Sequence, residues 1–409
     1  MDRSVKHSVE DYRRLAQRRL PRVVFDFLEG GADDEHGLSH NREIFRKYRL
    51  VPRRLVDVST RDSSVQWQGS TLSAPIIIAP TGFNGLYWHQ GDIALARAAA
   101  AHGIPFVLST ASNTSIETLA NRCQAELWFQ LYAMHDSLSV QWVRRALHAG
   151  YQTLVLTVDA SANGNRERDV RNGFTLPFRH RLATLADGLK HPRWALQYLR
   201  HGPPQFANLA QVHSTDTDAD AMHQALARRA MDASIDWDSL RRLRDLWPRS
   251  LLVKGILHPD DARQCISAGA DGVILSNHGA RQLDSCVSPM EILGRVRKGV
   301  SGAVLIDSGF RRGSDIVKAV ALGAQAVLLG RATLYGLAAA GEQGADAVIA
   351  ILKREIDQTL AQLGCANLAQ LSADHILLDD DATKTTINER WDLDSISEGC
   401  RGRHRGRDC

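Results

Sequence analysis

The stretch Gly272-Val-Ile-Leu-Ser-Asn-His-Gly-Ala-Arg-Gln-Leu-Asp284 joins an apolar run to a polar end. Its first four residues have the length and composition of a short buried strand, and His278 and Arg281 follow closely. Histidine exchanges a proton near neutral pH, and the planar guanidinium of arginine matches a carboxylate in two-point geometry. A strand tip of this kind suits an enzyme that removes hydrogen from a carbon next to a carboxylate.

The same arrangement recurs at seven other places, separated mostly by segments with helical periodicity. These apolar runs span 75–79, 105–109, 127–132, 153–159, 250–255, 303–309 and 326–331. Because they lack strict alternation, they predict strands buried on both faces, and hence a parallel sheet covered by helices. Eight such units in succession predict an α/β fold of the (β/α)8 TIM-barrel type. An open doubly wound sheet is disfavoured, since no Gly-x-Gly-x-x-Gly segment follows the first strand.

The regions around the barrel are predicted from local signals. Residues 1–70 should form an N-terminal helical extension, in which Ser8 and Asp11 cap one helix and Pro21 precedes a second helix at 22–29. The barrel is expected over 71–371. Residues 372–409 should form a tail whose arginine-rich end is disordered rather than bound to nucleic acid.

Composition argues against several classes of protein. The 409 residues carry a net charge of +4, which is too small to indicate nucleic-acid binding. The six cysteines show no C-x-x-C spacing, so we predict no metal site and a reducing compartment. The N-terminus lacks the apolar core of a signal peptide, and no apolar run reaches the roughly 18 residues of a membrane-spanning helix.

One long insertion interrupts the even spacing of the strands. About ninety residues separate Asp159 from Ser250, more than a loop and a helix require. Inside the insertion, placed at about 173–215, residues 178–201 hold five Lys/Arg and one acidic residue among Leu, Trp and Tyr. Such a basic amphipathic segment suits an anionic membrane surface. It equally suits a solvated insertion packed on the barrel or on a neighbouring subunit.

Residues directly after the strands of a (β/α)8 barrel face one shared pocket. All eight predicted tips carry polar residues or glycines, which are Pro80, Thr81 and Gly82; Ser109; Gln130 and Tyr132; Thr157 and Asp159; Lys254; Ser276, His278 and Arg281; Asp307, Gly309 and Arg311; and Gly330 and Arg331. At the last two tips, glycines permit close backbone approach and arginines add positive charge, where barrels commonly bind phosphate. A phosphate-bearing cofactor is therefore favoured over surface salt bridges.

The catalytic group is predicted from the same tips. His278 is the proposed general base, and Asp159 is expected to orient its ring and stabilise its protonated form. Lys254 ends an apolar strand, so its ammonium group should be drawn to an anionic partner, either a cofactor or a barrel carboxylate.

The segment Ser276-Asn-His-Gly-Ala-Arg-Gln282 resembles the active-site motif of the FMN-dependent α-hydroxy-acid dehydrogenases and oxidases. The resemblance extends from about Val9 to about Leu371. The segments 12–31, 128–132, 307–314 and 330–337 look closest to members that oxidise (S)-mandelate. The resemblance implies that the cofactor is FMN, that the substrate is an (S)-2-hydroxy acid, foremost mandelate, and that the protein is a homotetramer. L-Lactate dehydrogenase or 2-hydroxy-acid oxidase activity is the alternative. It also implies peripheral attachment through the insertion, at the cytoplasmic side of the inner membrane, and a quinone-type electron acceptor.

The resemblance also implies roles for individual residues. The FMN phosphate would be bound by Gly309, Arg311, Gly330 and Arg331, and the ribityl chain by Asp307. The flavin ring would be contacted by Pro80, Thr81, Gly82, Ser109, Gln130, Thr157, Lys254 and Ser276. The substrate carboxylate would be held by Arg166 and Arg281, with Tyr132 bonded to the substrate hydroxyl or carboxylate.

Two positions qualify this assignment. The chain reads Val24-Phe-Asp-Phe27 where related enzymes carry a tyrosine that bonds the substrate carboxylate. Phe27 should therefore line the substrate site and suit an aromatic or bulky acid at least as well as lactate. Gly82 stands where the oxidases often carry alanine, which favours a dehydrogenase. Because no C-x-x-C-H haem motif is present, the electron acceptor should be external.

Overall fold

The computed structural model describes residues 6–132, 136–174, 182–210 and 233–379. Eight parallel strands close into a barrel in chain order, with the eighth paired to the first. They are β1 Ile76–Ile78, β2 Phe106–Ser109, β3 Leu127–Tyr132, β4 Thr153–Thr157, β5 Ser250–Ile256, β6 Gly272–Leu275, β7 Ala303–Ile306 and β8 Ala326–Leu329. All eight coincide with the predicted runs to within a few residues at their ends, which confirms the (β/α)8 prediction.

Both faces of the barrel strands are buried, which explains why their sequences do not alternate. Outward residues such as Leu154 pack under the helices, and inward residues such as Val155 fill the barrel interior. A hairpin of strands Val65–Trp67 and Ser70–Leu72 closes the N-terminal end, where the Trp67 ring lies 5.2 Å from the ring of Trp128. The closed end is therefore apolar, and the open mouth lies at the carboxyl ends of the strands.

The N-terminal extension consists of α1 Val9–Arg19, α2 Arg22–Glu29 and α3 His36–Glu43. Ser8 Oγ accepts from the Asp11 N–H at 3.2 Å, and Asp11 Oδ2 accepts from the Ser8 N–H at 3.1 Å, as the capping pair predicts. Just beyond the end of α2, the Ala32 N–H donates to the Ala280 carbonyl at 2.8 Å. The extension therefore reaches across the barrel mouth to the tip that follows β6.

Helices cover the barrel and form much of the insertion after β4. Before and within the insertion they are α4 Asn84–Tyr87, α5 Gly91–Ala101, α6 Ile116–Arg122, α7 Asp136–His148, α8 Glu167–Arg171, α9 Leu182–Leu189, α10 Pro192–His201 and α11 Ala207–Ala210. After it they are α12 Trp237–Leu246, α13 Pro259–Ser267, α14 Pro289–Gly299, α15 Gly313–Ala321 and α16 Arg331–Leu363. Helix α16 is interrupted at Ala340–Gly341, where Gly341 has a φ of +63°.

The insertion is fastened to the barrel loops through specific bonds. Trp194 Nε1 donates to the Leu86 carbonyl at 2.8 Å, and Asn208 Oδ1 accepts from the Ile116 N–H at 3.0 Å. Residues 175–181 and 211–215 of the predicted amphipathic insertion lie outside the described residues, as do the residues that follow up to 232. Within the described residues, no helix has the length and apolar character needed to cross a membrane.

The chain remains packed past residue 371. Strand Ile376–Leu378 pairs antiparallel with strand Tyr48–Leu50 of the extension, and His375 is buried beside them. The first residues of the expected tail thus join the two ends of the described chain. Residues 380–409, including the arginine-rich end, lie outside the described residues.

Candidate active site

The inward face of the barrel changes from apolar to polar toward the mouth. Because strand side chains alternate, the residue two positions beyond an inward apolar residue also points inward. The residues reached in this way are Ser109, Gln130, Thr157, Lys254, Ser276 and Asp307, which follow Val107, Trp128, Val155, Leu252, Ile274 and Leu305. We call these six side chains the polar layer. Every member was predicted as a site residue.

One half of the polar layer is a chain of uncharged hydrogen bonds. Ser109 Oγ donates to Gln130 Oε1 at 3.0 Å, and Gln130 Nε2 donates to Thr157 Oγ1 at 3.0 Å. The three side chains are nearly inaccessible to solvent. Their bonds fix the direction of the Gln130 amide, so this wall presents a defined set of donors and acceptors.

The other half of the polar layer is charged. Lys254 Nζ donates to Ser276 Oγ at 2.8 Å and lies 3.2 Å from Asp307 Oδ2. Burial would lower the pKa of Lys254, but the charges of Asp307 and Asp159 outweigh it and raise the pKa above its ordinary value. The lysine therefore stays protonated and sets a buried positive charge in the mouth.

His278 and Asp159 form the predicted base and its orienting carboxylate. His278 Nδ1 lies 2.9 Å from Asp159 Oδ1, and His278 Nε2 lies 3.5 Å from the Tyr132 hydroxyl. Burial would raise the pKa of Asp159, but the positive charges of His278 and Lys254 bring it below its ordinary value. An ionised carboxylate on Nδ1 favours the tautomer with hydrogen on that nitrogen, leaving Nε2 as the proton acceptor.

The backbone at this tip is strained. His278, Gly279 and Ala280 have φ values of +56°, +64° and +57°, and this region is unfavourable for the two residues that carry a Cβ. Bonds at both ends maintain the turn, since the His278 N–H donates to Ser276 Oγ at 3.0 Å and the Ala280 N–H to the Asn277 carbonyl at 2.9 Å. The strained turn directs the imidazole across the mouth toward Asp159.

Arg281 and Arg331 bind the carboxyl end of α2. The last carbonyl groups of a helix lack helical partners and carry partial negative charge, so they attract cations. Arg281 donates to the carbonyls of Phe27 and Gly30 at 2.9 and 2.6 Å, and Arg331 donates to those of Leu28 and Gly30 at 3.2 and 2.8 Å. Burial, and next the charge of Arg281, lower the pKa of Arg331 to about 10. Part of the hydrogen-bonding capacity predicted for ligands therefore holds the extension over the mouth.

The predicted catalytic and substrate-binding residues, except Asp159, nevertheless line one cavity. Asp159 joins this group through its contact with His278 Nδ1. The cavity measures about 1290 Å³ including its open mouth, which is ample for a nucleotide-sized cofactor and a small acid. Its walls include Phe27, Tyr132, Arg166, His278 and Arg281. Arg166 comes from the loop after β4, and its Nε donates to the Arg281 carbonyl at 3.3 Å.

Aromatic rings line the part of this cavity nearest to Phe27. The rings of Phe27 and Phe174 stack at 4.1 Å with an interplanar angle of 10°, and Tyr87 lies 6.5 Å from Phe27. Phe206 and Phe83 meet edge to face at 4.7 Å. Of these, Phe27, Phe83, Tyr87 and Phe206 line the cavity, and we call them the aromatic wall. Only Phe27 was predicted, because Phe83 and Tyr87 lie in and beside the single-turn helix α4 and Phe206 lies in the insertion, where no periodic pattern indicates direction.

Asp92, which was not predicted as a site residue, connects the segments that follow β1 and β2. Asp92 is wholly buried and accepts from Asn84 Nδ2 and from Ser112 Oγ, both at 2.7 Å. These bonds join the loops after β1 and β2, which carry Pro80–Gly82 and Ser109. Asp92 could have been noticed as the single acidic residue in the otherwise alanine-rich helix α5. On the same wall, a Cβ at Gly82 would lie 3.0 Å from the Cβ of Ala111.

The far end of the cavity has the features of a phosphate site. Gly309, Arg311 and Gly330 line it together with the first residues of α16. Gly309 has a φ of +89°, and a Cβ there would overlap the Asn41 carbonyl. A Cβ at Gly330 would instead enter open space, with the nearest side-chain atoms 4.0 Å away. Bare backbone, a guanidinium group and a helix N-terminus together suit an anion, so these residues fit the phosphate of FMN.

The fold and this cavity define a flavin-dependent oxidoreductase. The family model for FMN-dependent dehydrogenases matches residues 16–378, and the chain belongs to this family. It is 57% identical over 369 residues to (S)-mandelate dehydrogenase of Pseudomonas putida, covering 90% of this chain and 93% of the relative. It is 39% identical over 371 residues to L-lactate dehydrogenase of Alcaligenes faecalis, covering 90% and 97%.

Solved structures agree with the sequence comparison. A structure described as the monotopic membrane protein (S)-mandelate dehydrogenase matches with a TM-score of 0.88 and 56% identity, covering 91% of this chain and all of that chain. A mandelate oxidase solved with benzoyl-formic acid matches with a TM-score of 0.76 and 33% identity, covering 91% and 98%. The protein is thus an FMN-dependent 2-hydroxy-acid dehydrogenase, and the predictions of family and cofactor are confirmed. The roles given to individual residues stay predictions.

Proposed function

We propose that the protein oxidises (S)-mandelate to benzoylformate and passes the electrons to a membrane quinone. The substrate assignment rests on one observation, which is that the aromatic wall lines the same cavity as His278, Arg166 and Arg281. Aromatic contacts contribute about 0.5–1.5 kcal/mol beyond the burial of area, so a phenyl group gains more from this wall than the methyl group of lactate. The similarity to (S)-mandelate dehydrogenase of Pseudomonas putida supports the same substrate.

In the proposed reaction each of these side chains has one task. Arg166 and Arg281 bind the substrate carboxylate, and Tyr132 donates to its hydroxyl or carboxylate oxygen. His278 Nε2 accepts one proton from the substrate, and the Asp159 carboxylate stabilises the resulting imidazolium. When bound, FMN supplies the two-electron acceptor for the oxidation. Lys254 provides a fixed positive charge that favours negative charge developing in the mouth on reduction.

The described part of the insertion supports attachment to a membrane. Leu189, Leu196 and Leu199 are 82%, 69% and 81% exposed, and Arg193 and Arg200 beside them are also exposed. Apolar side chains flanked by cations suit a headgroup layer, and anionic lipids of the cytoplasmic leaflet favour that side of the inner membrane. A similar solved protein is described as monotopic, which supports the same mode of attachment. A homotetramer, expected from family resemblance, completes the proposal and is tested by mass measurement in detergent.

The substrate assignment is tested by mixing the purified holoenzyme with (S)-mandelate without oxygen and following the flavin absorbance. We expect rapid bleaching by (S)-mandelate and none by the (R) form. Bleaching only by lactate or a longer aliphatic acid would exclude mandelate and favour the lactate alternative. Release of peroxide in air at the rate of turnover would indicate an oxidase.

A further inference from the structure

A second cavity lies between the insertion and the loops after β1 and β2. It measures about 1140 Å³ including its mouth, and His89, Asn113, Trp194, Gln197 and His201 are among its lining residues. The oxidation of the hydroxy acid, as described above, uses none of these side chains.

This second cavity shares a wall with the active-site cavity. In α4, Tyr87 lines the active site and the preceding residue, Leu86, lines the second cavity. In the insertion, Phe206 likewise lines the active site and the preceding residue, Gln205, lines the second cavity. A single layer of residues thus separates the place where the substrate is oxidised from the second cavity, so electrons need to cross only that layer.

The other side of the second cavity adjoins the exposed leucines. Helix α10 directs Trp194, Gln197 and His201 toward the cavity, while Leu196 and Leu199 of the same helix are exposed. A molecule entering from a lipid surface at these leucines would reach the cavity by passing along one helix. The cavity is placed between the proposed membrane surface and the active site.

The lining suits a flat ring with carbonyl groups. The rings of Trp194 and Tyr198 stack at 5.0 Å with an angle of 21°, and those of His89 and His201 stack at 3.6 Å with an angle of 13°. Burial, and next the charges of His201 and Arg200, lower the pKa of His89, so its imidazole is neutral and offers an N–H donor. Planar stacking partners together with N–H donors are the groups that a quinone head group requires.

We propose that this cavity binds the head group of a membrane quinone, the electron acceptor of the enzyme. The inference rests on the proposed function. The hydroxy acid loses one hydrogen from its α-carbon and one from its hydroxyl, which amounts to two electrons and two protons. The quinone gains two electrons and two protons and leaves as the quinol, so the overall reaction balances. His89 and His201 bond the carbonyl oxygens, and the apolar tail extends past Leu196 and Leu199.

Two variants of the detergent-solubilised holoenzyme test the site. Gln197→Trp fills the cavity, and His201→Ala removes a donor and a stacking partner. The matched control is His148→Ala, an exposed histidine at the end of α7 on the closed side of the barrel. Three rates are measured for each protein. They are anaerobic flavin bleaching by (S)-mandelate, turnover with a water-soluble dye, and turnover with a short-chain ubiquinone analogue.

We expect His201→Ala to raise the KM for the ubiquinone analogue by about tenfold, which is the loss expected for one hydrogen bond with its stacking contact. Gln197→Trp, which occupies the cavity itself, should raise this KM by at least about as much. Bleaching and dye turnover should stay within about twofold of the parent, and the control should match the parent in all three. An unchanged KM for the analogue would overturn the site, as would competition between the analogue and mandelate for the active-site cavity. If mandelate fails to bleach the parent flavin, the substrate proposal fails separately. The variants are then compared with whichever hydroxy acid does reduce it.

Discussion

The catalytic role proposed for His278 depends on how its imidazole ring is held. Asp159 is largely buried, ionised and bonded to Nδ1, and Gly255 behind it leaves no Cβ, which would otherwise overlap the Asp159 side chain. Among the described residues, Asp159 Oδ2 is a buried oxygen without a hydrogen-bond partner. The carboxylate therefore has the imidazole as its principal counter-charge at the mouth, together with Lys254.

The variant Asp159→Asn should lower turnover with (S)-mandelate by about 10²- to 10⁴-fold. The amide lacks the charge that stabilises the imidazolium, while its similar shape preserves the cavity. Flavin content, measured by absorbance, should remain that of the parent. Asp346→Asn is the matched control, because Asp346 forms a partly exposed pair with His102 at 2.9 Å, remote from the barrel mouth. A decrease of less than about tenfold in Asp159→Asn would contradict the role of the carboxylate.

Asp169 makes the stability of the protein depend on pH. Burial raises the pKa of Asp169 to about 6, although the charge of Arg281 opposes this shift. In the unfolded chain the pKa of an aspartate is about 3.9. The folded state therefore holds the proton more tightly. Ionisation of Asp169 therefore lowers the free energy of unfolding. This loss is absent below about pH 4, grows as the pH rises and reaches its full size above about pH 6.

The difference in free energy of unfolding between Asp169→Asn and the parent should accordingly increase in favour of the variant by about 2 kcal/mol from pH 4.5 to pH 7. Urea unfolding of both proteins at the two pH values measures this difference. Asp238→Asn, an exposed aspartate on α12, should differ from its parent by the same amount at both pH values. A difference for Asp169→Asn that does not change with pH would show that the carboxyl is not shifted.

At the scale of elements, the strands and their tips were predictable because burial on both faces leaves a composition that few other structures share. The polar layer was predictable for a related reason, since residues at the ends of parallel strands must meet. The contacts of Arg281 and Arg331 with the end of α2 were not predictable. A long cation can reach several acceptors, and the sequence does not show that a helix from residues 22–29 ends above the barrel mouth. The aromatic wall was not predicted either, because the sequence does not show that Phe206 of the insertion lies at the barrel mouth.

The junction of β8 and α16 is the element that we expect to hold the phosphate of FMN. In Gly330→Ala the new methyl group would enter the space above Ala79 and Thr81, where the backbone now faces the cavity. We expect purified Gly330→Ala to retain less than half of the flavin of the parent. The readout is the ratio of flavin to protein absorbance.

Gly294→Ala is the matched control for Gly330→Ala. Gly294 lies within α14, and its Cβ would meet nothing within 4 Å, so this change should leave flavin content unaltered and add up to about 1 kcal/mol of helix stability. Full flavin content in Gly330→Ala would place the phosphate elsewhere.

Three parts of the chain converge on the barrel mouth. The extension contributes Phe27, the barrel contributes His278 and Arg281, and the insertion contributes Phe206. Since the insertion also bears the exposed leucines, the same segment shapes the substrate cavity and faces the proposed membrane surface. We nevertheless expect the proposed attachment to be separable from catalysis, because these exposed leucines line neither cavity.

The double variant Leu196→Gln, Leu199→Gln should therefore leave the membrane while keeping its chemistry. Burying a leucine side chain contributes about 1.5–3 kcal/mol, so losing two should weaken partitioning by about 3 kcal/mol or more, which is at least about 100-fold. Sedimentation with vesicles of anionic phospholipid measures this, and anaerobic bleaching by (S)-mandelate should proceed at the parental rate. Leu55→Gln, at a fully exposed leucine of the extension, should sediment like the parent. If the double variant still sediments with vesicles, these leucines are not the attachment surface, and the described face of α10 is excluded as the route from lipid to the second cavity.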